Sequence, residues 1–141
     1  MKSINRLILL TIVFNFLILI GAGHGIGCLG IIQIVGFTEL FRGDIKFSLT
    51  GKYDDRLFTA AMIATAGQII LLVAYFKKQP AQKFKIVYVG LITLILSYFI
   101  LTVDFLSSTL DSFSFWGGIP FSVVSIFLLV QTINNHRATL N

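Results

Sequence analysis

Apolar residues fall in long blocks, and the polar residues gather between the blocks. Three later blocks, about 56–76, 84–105 and 115–134, each match the ~20 residues a helix needs to cross a ~30 Å hydrocarbon core. The first block is different. It opens at Ile4 and is still apolar at Phe41. A straight helix over that run would measure about 57 Å at ~1.5 Å per residue, far more than one crossing. The run must bend, break or leave the membrane. The glycines of Gly21–Gly30, GAGHGIGCLG, supply the place. The pattern therefore predicts a first span over about 6–25 and an outer connection over 26–55.

Within that connection, residues 29–42 read as a short amphipathic helix in the outer interface, stopped by Gly43. A re-entrant half-helix is the other arrangement this stretch allows. From Asp44 to Tyr53 the period changes. Ile45, Phe47 and Leu49 alternate with Lys46, Ser48 and Thr50, which is a strand or hairpin pattern. The predicted fold is an all-α integral membrane protein, an antiparallel four-helix transmembrane bundle with a small outer cap of interfacial helix and strand. Punctuation agrees with the spans. Asp54 and Asp55 precede the second and Lys77 and Lys78 follow it, as the helix dipole prefers. Pro80 lies in the turn before the third, and Trp116 stands at an interface position of the fourth.

Each span carries a row of small or polar residues at spacings of three and four: Thr11, Asn15, Ile18, Ala22; Ala60, Ala64, Gly67, Leu71, Ala74; Gly90, Thr93, Ser97; Gly118, Ser122, Ser125, Leu129, Thr132. In lipid no hydrophobic force drives helices together, so small residues and interhelical hydrogen bonds set the contacts. Asn15 and Gln68 fall at similar depth in oppositely directed spans and are expected to bond across the core. They also serve as candidate ligand-binding residues, as intramembrane polar groups do.

Composition narrows the environment. The chain is 56% hydrophobic and only 12% charged, about half the charge of a soluble domain. Its net charge of +5 reads as orientation and contact with anionic lipid, because the basic residues sit at span ends. Lysine and arginine favour the side bearing both termini and the Lys77–Lys85 turn, so the termini are expected in the cytoplasm of a plasma (inner) membrane. No nucleic-acid motif is present, and the expected partners are the bilayer and other membrane subunits or copies of the same chain.

Candidate chemistry gathers on the outer side. His24 and Cys28 are four apart and are legitimate metal ligands, but two ligands do not make a site. Asn15 and His24 are nine apart, half a turn out of phase, so His24 faces inward only if the helix breaks between them. Asp104 is expected to pair with His24 or Arg42, and an outer cavity would be lined by His24, Asp104, Glu39 and Trp116. Nucleotide-binding, hydrolase and zinc-protease motifs are absent, no catalytic residue is assigned, and no cofactor is identified. The expected function is a non-enzymatic subunit or accessory protein of a larger membrane assembly. The alternative is a small carrier, channel or lipid/quinone-binding protein.

Overall fold

A computed structural model describes residues 2–22, 25–42, 47–51 and 53–138. It is 80% helical. The elements run α1 (Lys2–Phe16), β1 (Leu19–Ala22), β2 (Gly25–Cys28), α2 (Leu29–Arg42), α3 (Tyr53–Phe76), α4 (Pro80–Leu101), α5 (Thr109–Gly117) and α6 (Ile119–Ala138). By length and composition, α3, α4 and α6 are each able to cross a membrane.

The long first block breaks. The helix expected to continue to residue 25 ends at Phe16. Leu17 N and Ile18 N still donate to Val13 O and Asn15 O, at 3.1 and 3.3 Å, before the chain extends into β1. β1 and β2 pair antiparallel, with Leu19 opposite Cys28 and Ala22 opposite Gly25. The pairing satisfies backbone groups that a glycine-rich helix would hold poorly. A two-stranded ribbon is marginal alone; here Ile18, Ile20 and Leu29 are wholly buried and β1 packs on α5. Gly117 makes that packing possible, since a Cβ there would stand 2.6 Å from Leu19 Cβ and 3.1 Å from its backbone nitrogen.

Leu29 N closes the break by donating to Ile18 O at 2.9 Å. α2 forms over the residues expected to be helical, and it lies along the first half of α3. Gln33 reaches Ala61 and Gln68, while Gly36 meets the Phe58 ring, so α2 runs antiparallel to α3. The expected strand in Asp44–Tyr53 is corrected where it is described. Residues 47–51 bend over the start of α3, Ser48 N donating to Thr59 Oγ1 at 3.0 Å and Gly51 N to Ser48 Oγ at 2.9 Å. With no neighbouring strand to pair with, this backbone bonds to side chains instead. Residues 43–46 lie outside the described set.

α3 and α4 form the most intimate pair. A Cβ at Gly67 would stand 2.7 Å from Leu94 Cδ2, and one at Gly90 2.7 Å from Leu71 Cδ2. Each helix thus gives a glycine to receive a leucine of the other. α1 packs on α3 and α6, and α6 also on α4. The row of small residues on α3 turns inward, Ala60, Ala64, Gly67, Leu71 and Ala74 all being buried, whereas Thr93 of α4 and Ser122 of α6 are only half-buried.

α5 begins where the sequence suggested a plain polar connection. Ser108 caps it by accepting from Asp111 N at 3.3 Å, and Gly118 separates it from α6. Pro80 occupies the first turn of α4, where its missing N–H costs nothing.

Candidate functional site

Where α1 stops, three amides converge. Asn15 comes from the last turn of α1, Gln33 from the second turn of α2 and Gln68 from α3. Gln68 Nε2 donates to Asn15 Oδ1 at 2.7 Å, the bond expected from sequence, and to Gln33 Oε1 at 3.4 Å. Gln33 Nε2 donates to Ala61 O at 3.4 Å. Asn15 is 0% exposed, and both glutamines are buried. Asn15 Nδ2 is left without a partner, which is expensive for a buried donor.

Beside the amides a groove of about 410 Å³ opens to the side of the molecule, lined by Phe16, Gln33, Ile34, Thr38, Thr65 and Gln68. A second hollow of about 240 Å³ continues it past Ile12, Ile69 and Leu72. Both walls are largely apolar. Thr38 and Thr65 bond back to Val35 O and Ala61 O, at 2.6 and 2.9 Å, so their hydroxyl protons are spent on their own helices.

A different cluster closes the Tyr53 end of α3. Arg56 is drawn inward, its side chain 3% exposed. Its Nη2 lies 3.0 Å from Asp111 Oδ1 and 3.1 Å from Asp104 Oδ2. Nε donates to Gly51 O and Nη1 to Ile100 O, both at 2.9 Å. Asp111 is fully buried, whereas the Asp104 side chain is 55% exposed. Tyr53 Oη and Ser114 Oγ share a 2.6 Å hydrogen bond alongside. One buried cation facing one buried and one exposed carboxylate, with backbone acceptors on Nε and Nη1, is an arrangement that locks α3, α4 and α5 together.

At the opposite end, Lys83 of α4 is buried, its Nζ donating to Asn5 Oδ1 and, at 3.5 Å, to Tyr75 O in the last turn of α3. The His136 ring lies tilted beside those of Phe84 and Tyr88. Between α4 and α6 a crevice of about 200 Å³ is lined by Tyr98, Phe121, Ser122, Ser125 and neighbouring aliphatics. Ser125 is buried and its Oγ has no hydrogen-bond partner.

The residues expected to line an outer cavity meet different fates. Asp104 pairs with Arg56; of the partners expected for it, His24 and the Arg42 side chain lie outside the described set. Trp116 is 67% exposed and edges against Phe115. Glu39 lies in α2 with its side chain outside the described set, and His24 is outside it altogether. Cys28 is a half-buried free thiol at the end of β2. Among the described residues, no three of His, Cys, Asp and Glu come together as a metal site. Asn15 and Gln68 do meet. Sequence reasoning missed Gln33, whose signal was a lone amide between Ile32 and Ile34. It also missed Arg56, whose charge at a span end looked like a solvated boundary. No protein-family model, curated protein or solved structure matches this chain.

Proposed function

We propose that this protein is a non-enzymatic subunit or accessory protein that associates with partners inside the bilayer. It sits there as an antiparallel four-span bundle in a bacterial inner membrane, with both termini cytoplasmic. α1 supplies about 22 Å and β1 about 13 Å, together enough for the fourth crossing. The 47–51 bend and α5 cap the outer side, and α2 is a re-entrant half-helix returning to that side.

One observation carries the association: the unbonded, buried Ser125 Oγ on the floor of the crevice between α4 and α6. Acyl chains cover apolar surface but offer a hydroxyl no partner, whereas a neighbouring helix does. α6 also has the surface to spare. Only 22% of its apolar window is buried, against 50% for α3 and 44% for α4. Its Val123, Ile126, Phe127 and Val130 are exposed, and Ile126 lines the crevice. The alternative of a carrier with an outer polar cavity draws less support, since Asp104 is committed to Arg56 and Trp116 points outward.

The test is extraction from native membranes in a mild detergent after cross-linking through Ile126→Cys. A discrete cross-linked product, to a second copy or to another membrane protein, that is lost in Ser125→Leu is the expected result. A monomer that cross-links to nothing overturns the proposal.

A further inference from the structure

The groove beside the amides stands apart from α6 and does not rest on the association proposal. We propose that it binds the head of a neutral, membrane-soluble quinone, with Gln68 as the residue that reads it.

Depth selects the ligand first. α3 is 24 residues, about 36 Å long. Gln68 lies eight residues before its end, so it stands about 6 Å from the middle of the helix. A phospholipid keeps its ester and head groups about 15 Å from the bilayer centre, at the edge of the core. Only a lipophile whose polar head enters the hydrocarbon reaches these amides.

Charge selects next. The Arg56 guanidinium begins twelve residues, about 18 Å, further along α3 and is occupied by Asp104 and Asp111. Lys83 is bonded to Asn5, ten residues before Asn15. Among the described residues the groove therefore offers hydrogen bonds without a cation, and an acid or phosphate head there would be costly.

Amide chemistry then favours a head that exists as both acceptor and donor. As described, Gln68 Nε2 is spent on Asn15 and Gln33, and Gln68 Oε1 accepts no hydrogen bond among the described residues. That oxygen suits the hydroxyl of a quinol. Turning the three amides over keeps both links in the opposite sense and presents Gln68 Nε2 to the groove, at the expense of the long 3.4 Å bond from Gln33 Nε2 to Ala61 O. It also exchanges the orphaned Asn15 Nδ2 for an orphaned carbonyl, the less costly of the two. That donor suits the carbonyl of a quinone. The Phe16 ring supplies a flat apolar wall, and the adjoining hollow past Ile12, Ile69 and Leu72 takes the first part of a tail.

The experiment uses the full-length protein in lipid nanodiscs, titrated with decylubiquinone and, separately, with farnesol, which has a prenyl tail and a hydroxyl but no ring. The readout is the unfolding midpoint. A saturable rise with decylubiquinone is expected, weakened at least 10-fold in apparent affinity by Gln68→Leu and abolished by Ile34→Trp. Ile34 is 70% exposed, so that variant fills the groove without disturbing the amides. If Gln68→Leu does not fold, Ile34→Trp decides alone. No saturable shift in the wild type, an unchanged affinity in Ile34→Trp, or farnesol binding as tightly as decylubiquinone overturns the proposal.

Discussion

Asp111→Asn isolates the buried half of the ion cluster at the Tyr53 end of α3. The change removes the charge and keeps the shape. Asp111 is wholly buried and its oxygens lie 3.0 and 3.3 Å from Arg56 Nη2. Without it, a guanidinium that is 3% exposed retains only Asp104, a carboxylate 55% exposed and screened by solvent. Breaking a buried pair by removing one partner costs ~3–5 kcal/mol. Asparagine still offers one carbonyl oxygen, so the loss falls near the lower end, at about 3 kcal/mol. Asp104→Asn removes the exposed partner and costs about 1 kcal/mol or less. In thermal unfolding at ~2–4 °C per kcal/mol, the first variant melts about 6–12 °C lower and the second no more than about 4 °C lower. The double variant Arg56→Met with Asp111→Leu removes both buried charges and recovers most of the loss. Equal melting of the two single asparagine variants, or a double variant as damaged as the sum of its singles, would refute the division between buried and exposed carboxylate.

The amide bond at mid-depth is measured by a cycle of Asn15→Leu, Gln68→Leu and the double variant; a coupling of about 0.6–1.7 kcal/mol is expected, and additive effects would deny the bond. Gly67→Leu drives a side chain into Leu94 and costs about 1–3 kcal/mol, partly recovered by Leu94→Ala. If Gly67→Leu is neutral in the same unfolding assay, α3 and α4 are not interlocked as described. Asn5→Leu takes the side-chain acceptor from the buried Lys83 ammonium, a loss of about 1.5–3 kcal/mol for a hydrogen bond to a charged group. Adding Lys83→Met to it is expected to restore stability, and a further drop would count against the pairing.

The three long helices were legible because each depends on a local property, a run of apolar residues of membrane-crossing length bounded by charge or proline. The inward row of α3 was legible for a related reason, since small residues at helical spacing have one use in lipid. Asn15 and Gln68 met because two spans in opposite directions bring equal depths together. What the sequence concealed was pairing across long separations. The alternation around Phe47 looked like a strand, but a strand exists only if another edge bonds to it, and the 47–51 backbone finds Thr59 instead. The actual strands carry three glycines among eight residues, Gly21, Gly25 and Gly27, a composition that reads as flexible. Their pairing depends on the cover given by α5, more than eighty positions away in the chain, at Thr109–Gly117 against Leu19–Cys28. Arg56 looked like a boundary charge because its partners Asp104 and Asp111 lie on other elements.

The broken helix and the amide cluster have one cause. Had α1 continued through Leu17, the following residues would lead away from Asn15, and Gln33 would not return to it. Because the chain turns outward along β1 and comes back along β2, α2 begins beside the end of α1, and its second turn meets Asn15 and Gln68. A break inside hydrocarbon is tolerated only where protein covers the freed backbone. Here Ile18, Ile20 and Leu29 are wholly buried, and Leu29 N takes Ile18 O. The exposure of β2 follows the same requirement. Gly25 and Ile26, at its outer end, are exposed, whereas Gly27 and Cys28, next to α2, are half-buried. With α3 centred in the bilayer, that gradient puts the open end of the ribbon among the head groups and its covered end in the core. The glycine stretch is thus the device that carries a third amide to mid-depth, and shortening the hairpin is expected to dismantle the amide cluster before it unfolds the three long helices.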